Sequence, residues 1–245
     1  MAVVRPDAAP TAEPRSDADA VPRHVAIIMD GNRRWARDRG LSEAEGHAAG
    51  VEAIRPIVRR ATERGVEVLS LYAFSRENWS RSDPEVQTLM ELMGQAIRDE
   101  TPELRRNGAR VRVLGRVEEL PPATRAAIHE AVAATADGSR LTLNVAFNYS
   151  GRCELADAAR RCLEDGLRPD QVDEAALAAR LYTTGLPEPD LVIRTGGDQR
   201  LSNFLIWQAA YAEYYFCEAF WPDFDATAFD TALAEFATRS RRFGR

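Results

Sequence analysis

Short runs of apolar and β-branched residues recur along the chain, separated by longer stretches that read as helices. The runs fall at 24–29 (HVAIIM), 66–73 (VEVLSLYA), 110–114 (RVRVL), 140–147 (RLTLNVAF) and 190–194 (DLVIR), each of strand length. Between and after them the pattern predicts helices over 46–64, 84–107, 121–136, 151–165, 173–182 and 225–238, some opened by residues such as Pro84 and Asp225. This alternation predicts an α/β fold, a mostly parallel central sheet flanked by helices on both faces. At 245 residues a single domain is expected, because α/β folds of about 250 residues form one unit. Residues 1–22 are rich in Ala, Pro and Asp without apolar periodicity. They read as a disordered N-terminal tail, too acidic for a transit peptide and lacking the apolar run of a signal sequence. That leaves 23–245 as the folded domain, with no internal repeat.

Composition narrows the chemistry. With 45% hydrophobic and 29% charged residues the chain is expected to be a soluble globular protein, not a disordered, collagenous or membrane-spanning one. It contains no lysine, so its 32 basic residues are all arginine, which excludes a P-loop lysine, a Schiff base and a pyridoxal site. The histidines (His24, His47, His129) and cysteines (Cys153, Cys162, Cys217) lack the close paired spacing of structural zinc. The thiols fit small buried hydrophobes in a reducing cytoplasm. A formal charge of -6 argues against general nucleic-acid binding and leaves the arginine clusters to smaller anions.

Ligands of parallel sheets bind beyond the carboxyl ends of the strands, and three polar clusters fall there. In the first, Asp30-Gly31-Asn32-Arg33-Arg34-Trp35, a glycine turn feeds a helix. Free amides, Asn32 and two guanidinium forks suit a diphosphate. Asp30 either caps the helix and pairs with an arginine, or faces that diphosphate through a cation such as Mg²⁺. In the second, Phe74 to Arg81, Ser75 and Arg81 suit phosphate oxygens and Asn78 suits a proton relay, or the segment simply shapes a loop. In the third, Arg194-Thr195-Gly196-Gly197-Asp198-Gln199-Arg200-Leu201-Ser202-Asn203, Arg194 and Arg200 can reach one anion, with a plain surface loop as the alternative. Glu213 stands in an aromatic run, where a buried acid needs a partner or a metal. Helix 84–107 carries Val86, Leu89, Met90, Met93 and Ile97 on one face. Core packing is the default for that face; beside two anion sites it also suits the wall of a pocket for a hydrocarbon tail. His47, after Gly46, is a candidate donor to the same head group.

Those residues resemble a known family. MDGNRRWA (29–36), GH (46–47), YAFSRENWSR (72–81), DLVIRTGGDQRLSNFLIWQAAYAEYYF (190–216) and WPDF (221–224) are similar, in content and order, to the cis-prenyltransferases typified by undecaprenyl diphosphate synthase. The similarity runs from His24 to the terminal RRFGR, and the DDxxD signature of the all-α trans-prenyltransferases is absent. The resemblance implies a hydrophobic tunnel within the α/β domain and Mg²⁺-dependent condensation of isopentenyl diphosphate with an allylic diphosphate, farnesyl or geranyl. A Z double bond would form at each addition and inorganic diphosphate would leave. It implies Asp30 as the acid engaging Mg²⁺, with Glu213 helping to place the metal. Gly31, Asn32, Arg33, Arg34 and His47 would hold the allylic diphosphate, and Arg194, Arg200 and Ser202 isopentenyl diphosphate. Asn78, with Ser75, would assist proton removal, and Trp79 and Arg81 would position the substrates. The matched motifs add Trp35, Arg76, Glu77 and Leu201 to the substrate-binding set. A cytoplasmic homodimer, completed by Arg242-Phe243-Gly244 across the interface and touching membrane at most peripherally, is implied as well.

Two positions depart from the family pattern. Glu43 stands where many members carry an arginine, and Arg33 where the long-chain bacterial enzymes often carry glycine. Arg33 is expected to compensate for the charge that Glu43 introduces. Small Ala73 is expected at the tunnel neck and Leu141 near its far end, compatible with medium or long products and not with very long ones; short products stay open as well, because one bulky side chain can close such a tunnel. A non-catalytic scaffold subunit and a head-to-middle condensing enzyme are the alternative readings. The retained Asp30, Asn78 and Glu213 argue against the first, and the intact Asn-Trp and Arg-Leu-Ser-Asn segments against the second.

Overall fold

Every residue of the first strand, β1 (His24–Ile28), is buried, as a strand covered on both faces requires. It is the third from one edge of a six-stranded sheet in the computed structural model, which describes residues 21–239. The other strands are β2 (Val68–Ser75), β3 (Ala109–Leu114), β4 (Leu141–Tyr149), β5 (Leu191–Arg194) and β6 (Glu213–Phe216). Their order is β3-β4-β2-β1-β5-β6, and all neighbours are parallel. The chain first builds to one side of β1 and then returns to place β5 and β6 on the other. The winding therefore reverses between β1 and β5, the switch point at which open parallel sheets bind ligands.

Among the described residues eight α-helices surround the sheet: α1 (Asn32–Asp38), α2 (Glu43–Glu52), α3 (Ile54–Glu63), α4 (Asp83–Arg106), α5 (Pro122–Ala134), α6 (Gly151–Glu164), α7 (Glu174–Ala178) and α8 (Ala226–Thr238). Alternate residues of β1 enter different cores. Val25 and Ile27 pack with Ile57, Trp221, Phe229 and Phe236, whereas Ala26 and Ile28 pack with Tyr149, Val192 and Phe204. A third cluster joins Phe74 and Phe147 to Val86, Leu89 and Met90 of α4 and Ile128 of α5.

The helix expected over 46–64 is two helices. Pro56 has no N–H to offer the carbonyl of Glu52, and its ring excludes that carbonyl, so the run breaks at Ala53. α2 also begins earlier, at Glu43, because Ser42 and Glu45 close a reciprocal capping box. The helix expected over 173–182 contracts to α7, while β6 emerges from an aromatic run not expected to be a strand. The apolar face of α4 serves both purposes. Val86, Leu89 and Met90 are buried in the core, and Met93 and Ile97 face an apolar cavity. Most of the expected tail and the Arg242-Phe243-Gly244 element lie outside the described residues.

The start of β1 carries a buried titratable group. His24 is fully buried, with Nδ1 2.8 Å from the carbonyl of Pro187 and Nε2 2.7 Å from Ser70 Oγ. A carbonyl only accepts, so Nδ1 carries the proton and Nε2 accepts from the Ser70 hydroxyl. Burial lowers the His24 pKa from 6.5 to about 4, against the opposing pull of Pro187 and Asp190. A depressed folded-state pKa contributes stability that is present above pH 6.5 and is lost as pH falls through 4, on the order of 3 kcal/mol in all. Thermal melts across that window are expected to show His24→Gln losing about one proton's worth of the wild-type pH slope. Equal slopes would contradict the assignment.

Candidate active site

The end of β1 is fixed through its backbone, which leaves its carboxylate to the cleft. Thr195 Oγ1 accepts from Asp30 N at 2.9 Å and donates to Asp30 O at 2.8 Å, and Trp221 N donates to the same carbonyl at 2.9 Å. Gly31 then turns the chain into α1 at φ 110°, where a Cβ would fall 2.6 Å from the Phe220 ring. Asp30 Oδ2 accepts from Arg194 Nη2 at 2.8 Å and Oδ1 from Arg34 Nη2 at 3.1 Å. Burial resists ionisation of Asp30, but the two guanidiniums outweigh it and hold the carboxyl below its ordinary value.

Arg194 is 4% exposed, so its N–H groups need partners inside the protein. Nη1 donates to Ser202 Oγ at 2.7 Å and to the carbonyl of Arg200; Nη2 also reaches Asp198 Oδ2 at 3.0 Å. Its Nε is buried and has no partner. Across the cleft His47 is 8% exposed, and its Nε2 stands 3.5 Å from Glu85 without closing a hydrogen bond. Burial, helped by the Arg81 cation, lowers the His47 pKa against the pull of Glu85. The ring is therefore neutral at physiological pH. Two buried nitrogens, one on each side, thus lack a hydrogen-bond partner among the described residues, an arrangement that leaves both open to a ligand. α2 packs directly on the start of α1, since a Cβ at Gly50 would fall 2.3 Å from Asn32 Nδ2.

Glu85 gathers the basic groups on that side. It accepts from Arg81 Nη1 at 2.8 Å and lies 4.0 Å from Arg33. Arg33 itself is held by Glu43, Nε to Oε1 at 2.7 Å, with both side chains half-exposed. The loop after β2 closes on itself: Ser75 N donates to Asn78 Oδ1 at 2.9 Å. Trp79 lies edge-on to Phe74 and donates to Asn148 Oδ1 at 2.8 Å.

Asp30, Gly31, Asn32, Arg33, Arg34, His47, Ser75, Glu77, Asn78, Arg81, Arg194 and Ser202 all line one polar cleft of about 1260 Å³. Trp35, Arg76, Trp79, Arg200 and Leu201, expected among the substrate contacts, are not in its wall. Trp35 donates to Asp223 at 2.7 Å, Arg76 pairs with Glu119, Arg200 pairs with Asp198 at 2.6 Å, and Leu201 packs against the second core cluster. Nor does the single chain bring Glu213 to Asp30: it opens β6 opposite Leu191, three residues before Arg194 in register, and pairs with Arg239 at 3.2 Å. Motif spacing gave no role to Thr195, Asn148, Asn203 or Glu85; for Glu85 the signal was its place four residues after Arg81.

Beneath the cleft a small neck of about 50 Å³, lined by His47, Tyr72, Ala73, Leu89 and Met93 among others, leads toward an apolar cavity of about 400 Å³ between the sheet, α3 and α4. Ala73 borders all three spaces. Leu143, not the expected Leu141, is in the cavity wall; Leu141 is buried in the core. Arg55, Arg59, Glu100 and Glu103 rim the cavity, with Arg59 and Glu103 paired at 3.4 Å.

The site also suits a hard cation. Asp30 and Asp198 accept from the same Arg194 nitrogen, and one or two carboxylates plus substrate phosphates are what Mg²⁺ takes. No group of three or more His, Cys, Asp or Glu among the described residues holds a metal unaided.

These features define an α/β protein with an arginine-rich cleft at the switch point of its sheet and an apolar cavity beneath it. A family described as putative undecaprenyl diphosphate synthase matches residues 28–244. Isoprenyl transferase 2 of Bradyrhizobium diazoefficiens is 50% identical over 97% of this chain and 95% of its own length. A ditrans,polycis-undecaprenyl-diphosphate synthase of Pseudomonas putida, (2E,6E)-farnesyl-diphosphate specific, is 49% identical over 92% of each chain. Lavandulyl diphosphate synthase from Lavandula x intermedia, solved with dimethylallyl diphosphate, superposes with a TM-score of 0.90 at 37% identity, covering 93% of this chain and 100% of that one. The chain belongs to the undecaprenyl diphosphate synthase family and is a prenyl transferase. Among the described residues no helix is long and apolar enough to cross a membrane.

The Arg33–Glu43 pair is half-exposed and worth less than about 1 kcal/mol to stability, so its effect belongs to binding. Glu43→Gln is expected to lower the Michaelis constant for the allylic diphosphate several-fold by freeing Arg33, and Arg33→Gly to raise it. Unchanged constants in both variants would contradict a part for this pair in the cleft.

Proposed function

We propose that the protein condenses isopentenyl diphosphate with an allylic diphosphate, farnesyl or geranyl, to give a Z-polyprenyl diphosphate and inorganic diphosphate, with Mg²⁺. The observation that carries this reading is the polar cleft joined through the Ala73 neck to an apolar cavity. One end suits a diphosphate and the other a growing hydrocarbon.

In this reading the amides after Gly31, Asn32, Arg34 and the neutral His47 hold the allylic diphosphate over the neck, tail downward. Arg194, whose buried Nε has no partner among the described residues, and Ser202 hold isopentenyl diphosphate alongside. As the allylic carbon–oxygen bond breaks, the leaving diphosphate takes the electron pair and its charge meets fixed guanidiniums, which need no rearrangement. The isopentenyl double bond attacks the allylic carbon, and a proton leaves the isopentenyl unit to restore a double bond. The departing diphosphate takes that proton, assisted by Asn78, whose side chain is held by Ser75 N. Mg²⁺, when bound through Asp30 with Asp198 beside it, neutralises diphosphate charge that Asp30 would otherwise oppose. Holding both substrates in contact contributes the rest. We also read the protein as a homodimer; β6 at the open sheet edge supports this.

Mass spectrometry of products formed with Mg²⁺, isopentenyl diphosphate and a panel of allylic diphosphates is expected to give a ladder of added isoprene units that disappears in Asp30→Ala. A single product from dimethylallyl diphosphate alone would favour head-to-middle condensation, and no product with any primer a scaffold subunit.

A further inference from the structure

Four non-glycine residues among those described adopt positive φ, and three fall together at Ser202, Asn203 and Leu205. Such backbone costs energy and persists only where surrounding contacts fix it. Here Asn203 supplies them. Its Nδ2 donates to Glu77 Oε1 at 2.9 Å and to Ser150 Oγ at 2.8 Å, and its Oδ1 accepts from Arg152 N at 2.9 Å. Its carbonyl accepts from Gly151 N at 2.9 Å, at a point where a Cβ on Gly151 would lie 2.8 Å away. Asn203 is thus anchored on the first turn of α6 and reaches across to the loop carrying Asn78, while the residue before it, Ser202, holds Arg194 at 2.7 Å.

Resting on the condensation proposed above, we infer that Asn203 is a positioning residue that sets the spacing between the isopentenyl-side loop (Arg194, Ser202) and the proton-removing loop (Glu77, Asn78). Among the described residues the Asn203–Glu77 bond is the direct side-chain link between these two loops, across 126 residues of sequence. An asparagine suits the position because it tolerates left-handed backbone and carries both an acceptor for Arg152 N and donors for Glu77 and Ser150. Asn203 acts through Ser202 and Glu77, not on the reacting atoms.

Asn203→Asp keeps the left-handed backbone and the acceptor for Arg152 N, and the Ser150 hydroxyl can turn to donate. It loses only the donor to Glu77 and sets two carboxylates face to face. Its kcat/KM for isopentenyl diphosphate is expected to fall at least about tenfold, the effect of losing a hydrogen bond to a charged group. The Michaelis constant for the allylic diphosphate is expected to stay within about twofold, since that site lies on α1 and α2. Adding Glu77→Gln, whose amide can donate to the carboxylate introduced by Asn203→Asp and so restore the bond in the reversed sense, is expected to recover most of the loss. Calorimetric binding of isopentenyl diphosphate reads the link independently of turnover and is expected to weaken and recover in parallel. Wild-type binding in Asn203→Asp, or a loss shared by both substrates and not rescued, would overturn the inference. An inactive wild type whose isopentenyl diphosphate binding still follows this pattern would instead overturn the condensation and leave the link standing. Should Asn203→Asp fail to fold, Asn203→Gly keeps the backbone, loses the same link and carries the same expectation for binding.

Discussion

A guanidinium taken out of water must have its N–H groups matched or it destabilises the fold, and Arg194 is the residue on which the site depends in this way. β5 delivers it, almost fully buried, against the end of β1, and Asp30, Asp198, Ser202 and the carbonyl of Arg200 converge to satisfy it. Each partner comes from a different part of the chain or a different turn of one loop. Meeting the needs of one cation therefore ties together the Asp30 carboxylate, Asp198 and the strained Ser202 segment. Of the Arg194 guanidinium nitrogens, Nε alone is left without a partner among the described residues, the donor that the proposed isopentenyl site uses.

The division between polar cleft and apolar cavity follows from the same topology. Residues at the carboxyl ends of β1, β2 and β5 leave the sheet as polar turns, whereas positions further back alternate into the cores on either face. Where α3 and α4 stand off from the sheet the core is left open, and Met93 and Ile97 become wall where Val86 and Met90 one to two turns earlier are packed. Ala73 at the end of β2 touches both worlds because a methyl group blocks neither.

The buried parallel strands were legible in the sequence because burial on both faces makes them continuous apolar runs, and the three polar clusters because they follow those runs. Asp30, Arg34, Arg194 and Ser202 line one cleft. What was not legible depended on partners distant in sequence. Trp35 and Trp79 spend their indole N–H groups on Asp223 and Asn148, and Glu213 turns to Arg239. β6 escaped notice because an edge strand is half-exposed and its aromatic residues fit helix, strand or loop alike. The α2–α3 break was written in Pro56, a local signal that the apolar period overrode. Arg33 and Glu43 are ten residues apart, and only the turn between α1 and α2 sets them face to face.

The central claim is that Asp30 is held by Arg34 and Arg194 in the free protein and opposes an anion there unless a cation lies between. Calorimetric titration with inorganic diphosphate, with and without magnesium, tests it through the sign of one substitution. Asp30→Asn should bind diphosphate more tightly than wild type without magnesium, because a repelling charge is gone, and should lose the gain that magnesium gives the wild type. Weaker metal-free binding in Asp30→Asn, with the magnesium gain retained, would contradict the account and reduce Asp30 to a brace for the arginines.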